Sequence, residues 1–251
     1  MSLLINPYSH GFAVDAADFD GTNDYMLRGA ELTGMADGKQ GIVSAWVRLD
    51  GGNADDMYVL ANSTTETPNG FGVSRQSDNK FTIWGVNAAG TKILHFSATT
   101  THTSGATWRH VLASWDLAVD VSWHFYIDDV SEQSSVLTFT NDTLDYTKGN
   151  FACGSKLTGA TRMNGALAEV YFAPGQHLDF SVTANRRKFI SASGKPVNLG
   201  TDGSAPTGVA PIVYFHLDNG EAVANFATNR GSGGNFAITG TLDTASTSPS
   251  D

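Results

Sequence analysis

The sequence predicts a single all-β domain, either a sandwich or a barrel, and three observations support this prediction. Short runs that alternate apolar and polar residues recur along the chain, and such alternation places successive side chains on opposite faces of a strand. Helical periodicity is almost absent. Turn-forming stretches such as residues 50–53 (DGGN) and 87–90 (NAAG) separate the runs. Many short strands with frequent turns are typical of antiparallel sandwiches and barrels.

The clearest strand lies at residues 121–127 (VSWHFYI), whose odd-numbered residues are apolar and are predicted to share one face. Asp128 and Asp129 follow it and predict a tight hairpin turn into Val130. Further strands are predicted at residues 42–49, 81–86, 93–98, 109–115, 136–140 and 167–172.

One helix is predicted at residues 181–190. Ser181 is expected to cap its start, and a glycine and a proline after it are expected to end it. Val182, Phe189 and Ile190 supply the apolar side chains that would pack the helix onto the strands.

The domain is predicted to span residues 1–245, with its core at 10–190 and C-terminal strands within 209–243, because that last stretch contains strand-like runs. Only residues 246–251, which are small and polar, are expected to form a flexible tail.

Composition excludes several classes of protein. A single cysteine, Cys153, allows no intrachain disulfide. Acidic residues outnumber basic ones by 25 to 15, so we expect no nucleic-acid partner, which would require a basic stripe. No run approaches the roughly 20 apolar residues of a membrane span. The first residues lack a basic and apolar signal sequence, so we expect synthesis in the cytoplasm.

The motifs of hydrolytic enzymes are missing from the sequence. A sandwich glucanase needs acidic residues alternating along one strand, but the five glutamates are scattered and Glu169 is the only acidic residue in its predicted strand. Zinc-ligand spacings and a G-x-S-x-G turn are also missing. We therefore predict no enzymatic activity, with a glycoside hydrolase, or a lyase or acyl hydrolase assembled from distant residues, as the alternative.

Five motifs follow one another in a familiar order. They are residues 19–25 (FDGTNDY), 44–48 (SAWVR), 107–116 (TWRHVLASWD), 125–129 (FYIDD) and 164–171 (NGALAEVY). Together they resemble the laminin-G-like members of the concanavalin A-like lectin/glucanase superfamily. The resemblance implies an all-β fold, a two-sheet antiparallel jelly-roll sandwich. Asp129 departs from the glycine that the family usually has there.

The C-terminal stretches 199–214 and 225–242 resemble laminin-G-like proteins encoded among the structural genes of tailed bacteriophages. This resemblance implies a location in the virion. The alternative to a phage protein is a bacterial adhesin or a cell-surface lectin, which would lie on an extracellular surface. The phage resemblance also implies other virion proteins as partners and a homo-oligomer as an assembly state.

The family resemblance implies a calcium ion held by carboxylates near the first and last core strands. Asp20 and Asp24 on the opening turn and Glu169 on the closing strand are the predicted ligands. The alternative for Asp20 is that its carboxylate caps the turn through backbone N–H groups.

Sugar recognition combines aromatic rings with polar side chains on loops. Two groups of residues fit that description and are the predicted ligand contacts: Asp55, Asp56 and Tyr58 in one, Trp84 and Asn87 in the other. The alternative is that Trp84 belongs to the core, as is expected of the other four tryptophans.

We therefore predict a non-enzymatic, virion-associated module that binds or attaches to a host-surface glycan. The alternatives are a structural decoration or fibre-attachment protein and a glycan-degrading enzyme on the same fold.

Overall fold

The computed structural model describes residues 13–62, 70–132 and 136–251. Residues 10–12 of the predicted core and the scattered Glu66 lie outside the described residues. In the described part, no helix has the length and apolar character needed to cross a membrane.

Antiparallel strands account for nearly all the regular structure, as predicted. In chain order they are β1 (Val14–Asp15), β2 (Ala17–Asp20), β3 (Tyr25–Leu27), β4 (Gln40–Leu49), β5 (Met57–Ala61), β6 (Phe71–Arg75), β7 (Phe81–Val86), β8 (Lys92–Ser97), β9 (Gly105–Asp116), β10 (Trp123–Ile127), β11 (Val130–Ser131), β12 (Val136–Phe139), β13 (Ala152–Cys153), β14 (Asn164–Pro174), β15 (Val213–Phe215), β16 (Leu217–Asp218), β17 (Ala237–Thr239) and β18 (Asp243–Thr244). In the described ranges, one α-helix, α1 (Thr183–Arg186), and one 3₁₀ helix (Val223–Ala227) accompany them.

The strands form two large sheets that pack into a sandwich. The first sheet has the order β11-β10-β9-β4-β14-β2-β18, and β15 also pairs with β14. The second sheet has the order β12-β8-β7-β6-β5-β13-β3-β17. Strands β1 and β16 pair separately. The fold class predicted from the sequence, an all-β two-sheet sandwich with one short helix, is confirmed.

The main core lies between the sheets and is rich in aromatic rings. Phe71 of the second sheet stacks on Phe172 of the first at 4.7 Å between ring centroids, and Trp115 packs against the same Phe71. The Trp115 indole N–H donates to the Tyr146 hydroxyl at 3.0 Å, which satisfies the polar atoms of two fully buried side chains.

The β10–β11 hairpin confirms one prediction and corrects another. Asp128 and Asp129 have φ of +52° and +64°, the left-handed conformation that a two-residue type I′ turn requires. Val121, which was predicted to share one strand face with the next three odd-numbered residues, lies instead in the turn before β10 and is 74% exposed. Strand β10 begins two residues later than the alternating pattern predicts.

The helix predicted at 181–190 is much shorter in the structure. Helix α1 covers only Thr183–Arg186, and Val182, not Ser181, is the residue before it. The Ser181 hydroxyl donates to the Asp179 carboxylate at 2.6 Å, so it is engaged outside the helix. Val182 is 47% exposed, whereas Phe189 and Ile190 are buried as predicted.

The segment around α1 covers the outer face of the first sheet. Phe180, Phe189 and Leu199 pack there in an apolar cluster with Ile42, Leu112, Tyr126, Tyr171, Ala173 and Tyr214. We call this outer face the covered face. The outer face of the second sheet carries a pocket, described below, and we call it the pocket face.

Residues 246–251, expected to form a flexible tail, pack against the sandwich. The Arg48 guanidinium donates to the hydroxyls of Ser246 and Thr247, at 3.3 and 2.8 Å. The Ser250 hydroxyl accepts a hydrogen bond from the Val14 backbone N–H at 3.1 Å. The last residues therefore hold the first described strand, β1.

Candidate functional site

The pocket face is built from two ladders of side chains on neighbouring strands. In one ladder Tyr58, Ser74, Thr82 and Ser97 lie side by side on β5, β6, β7 and β8. In the next, Ala61, Gly72, Trp84 and His95 do the same. Because side chains alternate along a strand, the apolar residues between these positions point into the core.

Trp84 and Tyr58 form the floor of this face. They pack with Ala61 in a small apolar cluster that is separate from the main core, and they are only 4% and 3% exposed. A Cβ atom at Gly72 would lie 2.6 Å from the Trp84 ring, so only glycine lets the indole lie flat across β6. Trp84 is therefore buried, but outside the main core, and it also borders the pocket.

A pocket of about 350 Å³ opens above this floor. Its rim is more accessible than its floor and is mostly polar, with one exposed apolar residue, Leu137, on the edge strand β12. The residues that line the pocket are Tyr58, Gln76, Ser77, Asp78, Thr82, Trp84, Lys92, His95, Ser97 and Leu137. Aromatic side chains below, with hydroxyl, amide and imidazole groups around them, are a combination typical of small-molecule sites.

The charge in the pocket is nearly balanced at neutral pH. Burial, together with the nearby Lys92, lowers the pKa of His95 to about 4, so this imidazole is neutral and presents one donor and one acceptor. The remaining charged groups that line the pocket are one cation, Lys92, and one anion, Asp78.

The predicted contacts Asp55 and Asp56 lie in a second pocket beside the first. This pocket measures about 490 Å³ and is lined by Gly21, Ala54, Asp55, Asp56, Ser77, Thr161 and Arg162. Ser77 lines both pockets. The structure thus brings four of the five predicted ligand contacts to one region of the surface.

Asn87, the fifth predicted contact, lies at a different turn. Its amide nitrogen donates to the Asp142 carboxylate at 2.7 Å, and its amide oxygen accepts a hydrogen bond from the Thr91 backbone N–H at 2.9 Å. These contacts give Asn87 a role in closing the β7–β8 turn.

Asp20 and Asp24, predicted as calcium ligands, lie together and accept hydrogen bonds from the backbone. One Asp20 oxygen accepts from the N–H groups of Thr22 and Asn23 at 2.7 and 2.9 Å. The backbone hydrogen bonds from this turn, first that from Asn23, lower the pKa of Asp20. Asp24 accepts from Thr241 at 2.8 Å and thereby ties the C-terminal strands to the opening turn.

Glu169, the third predicted calcium ligand, lies apart from the other two. Asn164 is the residue of β14 that pairs with Asp20, and Glu169 is five residues further, roughly 15 Å along the strand. In the residues that the structure describes, no group of three or more Asp, Glu, His or Cys side chains is placed to hold a metal ion.

Glu169 belongs instead to a buried polar cluster that the sequence did not reveal. Its carboxylate is hydrogen-bonded to His216 Nδ1 and accepts from the Tyr214 hydroxyl at 2.9 Å. His216 Nε2 lies 3.0 Å from Asp218, which also pairs with Arg230. Burial raises the pKa of Glu169, so we infer that the Glu169–His216 pair retains a shared proton at neutral pH.

A β-bulge explains why Glu169 faces this cluster. The pairing of β14 with β4 shifts register between Ala168 and Tyr171, and Glu169 itself has a φ of +50°. An extra residue at a bulge turns the next side chains to the other face. The partners come from residues 45 or more positions away in sequence, which no local pattern could have predicted.

Comparison with known proteins agrees with this architecture. A family model described as "Concanavalin A-like lectin/glucanases superfamily" matches residues 20–176, more than half of the chain. A search of curated protein sequences found no match.

Several solved structures share the fold at low sequence identity. A Bacteroides ovatus ATCC 8483 protein proposed to bind carbohydrate aligns with a TM-score of 0.65 and 14% identity, over 95% of this chain and 62% of the longer one. A heptameric pentraxin of Limulus polyphemus aligns with a TM-score of 0.49 and 17% identity, over 68% and 81%. The CBM40 module of a Ruminococcus gnavus sialidase, bound to α2,3-sialyllactose, aligns with a TM-score of 0.45 and 14% identity, over 69% and 98%. The chain belongs to the concanavalin A-like lectin/glucanase superfamily.

Proposed function

We propose that this protein is a non-enzymatic carbohydrate-binding module and that the glycan binds in the pocket on the pocket face. The observation that carries the proposal is the composition of that pocket, in which Trp84 and Tyr58 underlie a polar rim. The family membership and the fold shared with a protein proposed to bind carbohydrate support it.

The rim suits sugar hydroxyls, which are both donors and acceptors. Gln76 and Ser97 offer an amide and a hydroxyl, and the neutral His95 ring offers both functions at once. The Gln76 amide already donates to Ser74 at 2.6 Å, so its position is fixed before a ligand arrives. A preorganised rim lowers the entropic cost of binding.

We also propose that the module serves attachment in the virion of a tailed bacteriophage, where its ligand is a glycan of the host surface. The resemblance of stretches 199–214 and 225–242 to phage structural proteins motivates this setting. A purely structural decoration or fibre-attachment protein, which contacts other virion proteins or further copies of itself, is the alternative in the same setting.

The test is a screen of the purified protein against bacterial surface polysaccharides and a glycan array, followed by calorimetric titration of every positive. Two variants alter the pocket in different ways: Ser97→Trp fills it from the rim, and Trp84→Leu removes the floor ring but keeps apolar bulk. We expect each to weaken binding at least tenfold. Val130→Trp, which adds the same ring at an exposed position of β11, is the matched control.

Binding that survives both pocket variants would place the glycan elsewhere on the protein. A folded wild-type protein that binds no glycan would overturn the proposal and favour the structural alternative. Calcium stays a prediction, and the same titrations with calcium and with chelator test it: Asp20→Ala should lower affinity only if an ion is held there.

A second candidate function, glycan hydrolysis, is favoured by one pair of carboxylates. Asp18 and Asp50 both contact the Arg48 guanidinium, at 3.2 and 2.6 Å. Burial and the neighbouring Asp50 raise the pKa of Asp18 to about 6, as a general acid requires. Release of reducing ends from a bound polysaccharide, lost in Asp18→Asn, would establish it. A wild-type protein that releases none leaves the binding function alone.

A further inference from the structure

We infer that the binding site continues past Ser77 into the second pocket, so that its ligand is an uncharged oligosaccharide of at least two linked sugar units. This inference rests on the proposed function. The pocket above Trp84 would take one unit, and the pocket beside Asp55 and Arg162 would take the next.

The two pockets share a wall. Ser77 lines both of them and is exposed, so the wall is low where the pockets meet. A sugar chain lying across Ser77 would contact both pockets without any movement of the backbone. Volumes of about 350 and 490 Å³ are each within the range of ligand sites.

The wall is held from below. The Asp56 carboxylate accepts a hydrogen bond from the Ser77 backbone N–H at 2.6 Å. The Asn79 side chain accepts from the Ala54 backbone N–H at 3.0 Å and from the buried Arg75 guanidinium. Arg75 also donates to the Gly52 carbonyl, so the turn after β6 and the loop before β5 form one rigid unit. Asp56 is thus a positioning residue.

The second pocket differs from the first in its chemistry. It is lined by the Asp55 carboxylate, the Arg162 guanidinium and the Thr161 hydroxyl, which accept from and donate to sugar hydroxyls. The Arg162 guanidinium lies 6.0 Å from the centre of the Tyr25 ring, which orients it. We expect this pocket to supply hydrogen bonds and the first pocket to supply ring contact.

The charge of the combined site favours an uncharged ligand. The charged residues lining the first pocket are Lys92 and Asp78, one of each sign, and those lining the second are Arg162, Asp55 and Asp56. The whole chain carries a net charge of −10. An acidic polysaccharide would meet no excess of positive charge here and would be repelled by the protein as a whole.

The test is calorimetric titration with gluco-, manno- and galacto-oligosaccharides of one to six units, in parallel with uronic-acid oligomers of the same lengths. For a series that binds, we expect affinity to rise at least tenfold between one unit and three. Asp55→Ala and Arg162→Ala should remove this gain but leave the affinity for one unit unchanged. Asp120→Ala, which removes an exposed aspartate from the β9–β10 turn, is the matched control for charge.

The outcomes separate this inference from the proposed function. Binding that is lost in Ser97→Trp but does not depend on chain length, or on Asp55 and Arg162, would overturn the inference and leave the proposed function standing. Tighter binding of the uronic-acid oligomers would overturn the uncharged class. Failure of every sugar to bind the wild-type protein would overturn both. Circular dichroism melting of each variant checks that it folds.

Discussion

The two outer faces of the sandwich are both formed by antiparallel strands, but another segment of the chain covers one of them and a pocket opens on the other. On the covered face six buried residues of the sheet pack against Phe180, Phe189 and Leu199 of the segment around α1. The pocket face gathers only Tyr58, Ala61 and Trp84 into an apolar cluster and carries polar side chains around them. The same fold thus covers one outer face with apolar packing and leaves a pocket open on the other.

The polar groups of the two faces differ in the same way. On the covered face they are buried and bonded to one another, as Glu169, Tyr214 and His216 are. On the pocket face Ser74 and Thr82 are also buried, but the polar residues towards its edge, Ser97, His95 and Lys92, are only half-buried. Buried polar groups cost free energy unless they are paired, so substitutions on the covered face should affect folding and those on the pocket face should affect binding.

The largest effect is expected for Phe189→Ala on the covered face. Phe189 is 2% exposed and packs edge-to-face against Tyr171 and Phe180, at 5.3 and 5.7 Å. Loss of this ring should lower the free energy of unfolding by about 4 kcal/mol. Urea denaturation measures it, and glycan binding at a temperature where the variant is folded should be unchanged. A loss below about 1 kcal/mol would mean that α1 is not needed to cover the sheet.

Glu169→Gln is expected to have the next largest effect. Removing the charge of one partner in a buried, hydrogen-bonded pair should cost roughly 3 kcal/mol because the acceptor facing His216 becomes a neutral amide oxygen. Asp218→Asn is the matched control, since it changes the partner of the other nitrogen of the same ring, and the Asp218 side chain is 67% exposed. That variant should cost less than about 1 kcal/mol. Equal losses in the free energy of unfolding for the two variants would contradict the conclusion that the buried contact of His216 with Glu169 contributes more to stability than its exposed contact with Asp218.

The two faces also differ in how far the sequence predicts them. Alternation predicts a strand with the same bounds as β7, and the turn at Asp128–Asp129 follows from local chemistry. Alternation does not predict which outer face another segment of the chain will cover. Burial does not separate the two faces either, because Tyr58 and Trp84 on the pocket face are as buried as residues of the main core. The bulge at Glu169 and its partner His216 depend on contacts between distant residues, so no pattern in one strand reveals them.

The helix shows the same limit. Phe189 and Ile190, the apolar residues of the predicted helix, are buried as predicted. They lie beyond α1, which ends at Arg186, so their burial comes from packing on the sheet and not from helical periodicity. Arg186 and Arg187 both bind Asp129, at 2.5 and 2.6 Å, and so join α1 to the β10–β11 turn. The sequence predicts that Asp129 lies in a turn, but it does not predict that the two arginines bind this carboxylate.

Acid should destabilise the covered face through His110. This ring stacks on Trp46, bonds to Ser44, and is fully buried, and burial lowers its pKa to about 3. The unfolded chain binds a proton near pH 6.5 and the folded chain does not, so stability is lost as pH falls below 6.5. The loss between pH 6.5 and 4.5 should be about 2 kcal/mol.

Urea denaturation as a function of pH isolates this contribution when the wild-type protein is compared with His110→Gln. In that pH interval the free energy of unfolding of the variant should change less steeply with pH than that of the wild-type protein, by the slope that the binding of about one proton produces. His95→Gln is the comparison on the pocket face, where the half-buried ring is screened by solvent and should contribute less. A larger change in the pH dependence of stability for His95→Gln than for His110→Gln would mean that the pocket face, and not the covered face, carries the histidine whose burial makes folding sensitive to acid.

The smallest effect on folding is expected for Ser97→Trp on the pocket face. Ser97 lies opposite Thr82 on neighbouring strands, and an aromatic side chain suits a half-buried strand position. Its free energy of unfolding should stay within about 0.5 kcal/mol of the wild-type value. Because the same substitution should weaken glycan binding at least tenfold, it separates folding from binding in one protein. A variant that binds normally but unfolds several kcal/mol more easily would show that the pocket face, like the covered face, serves stability.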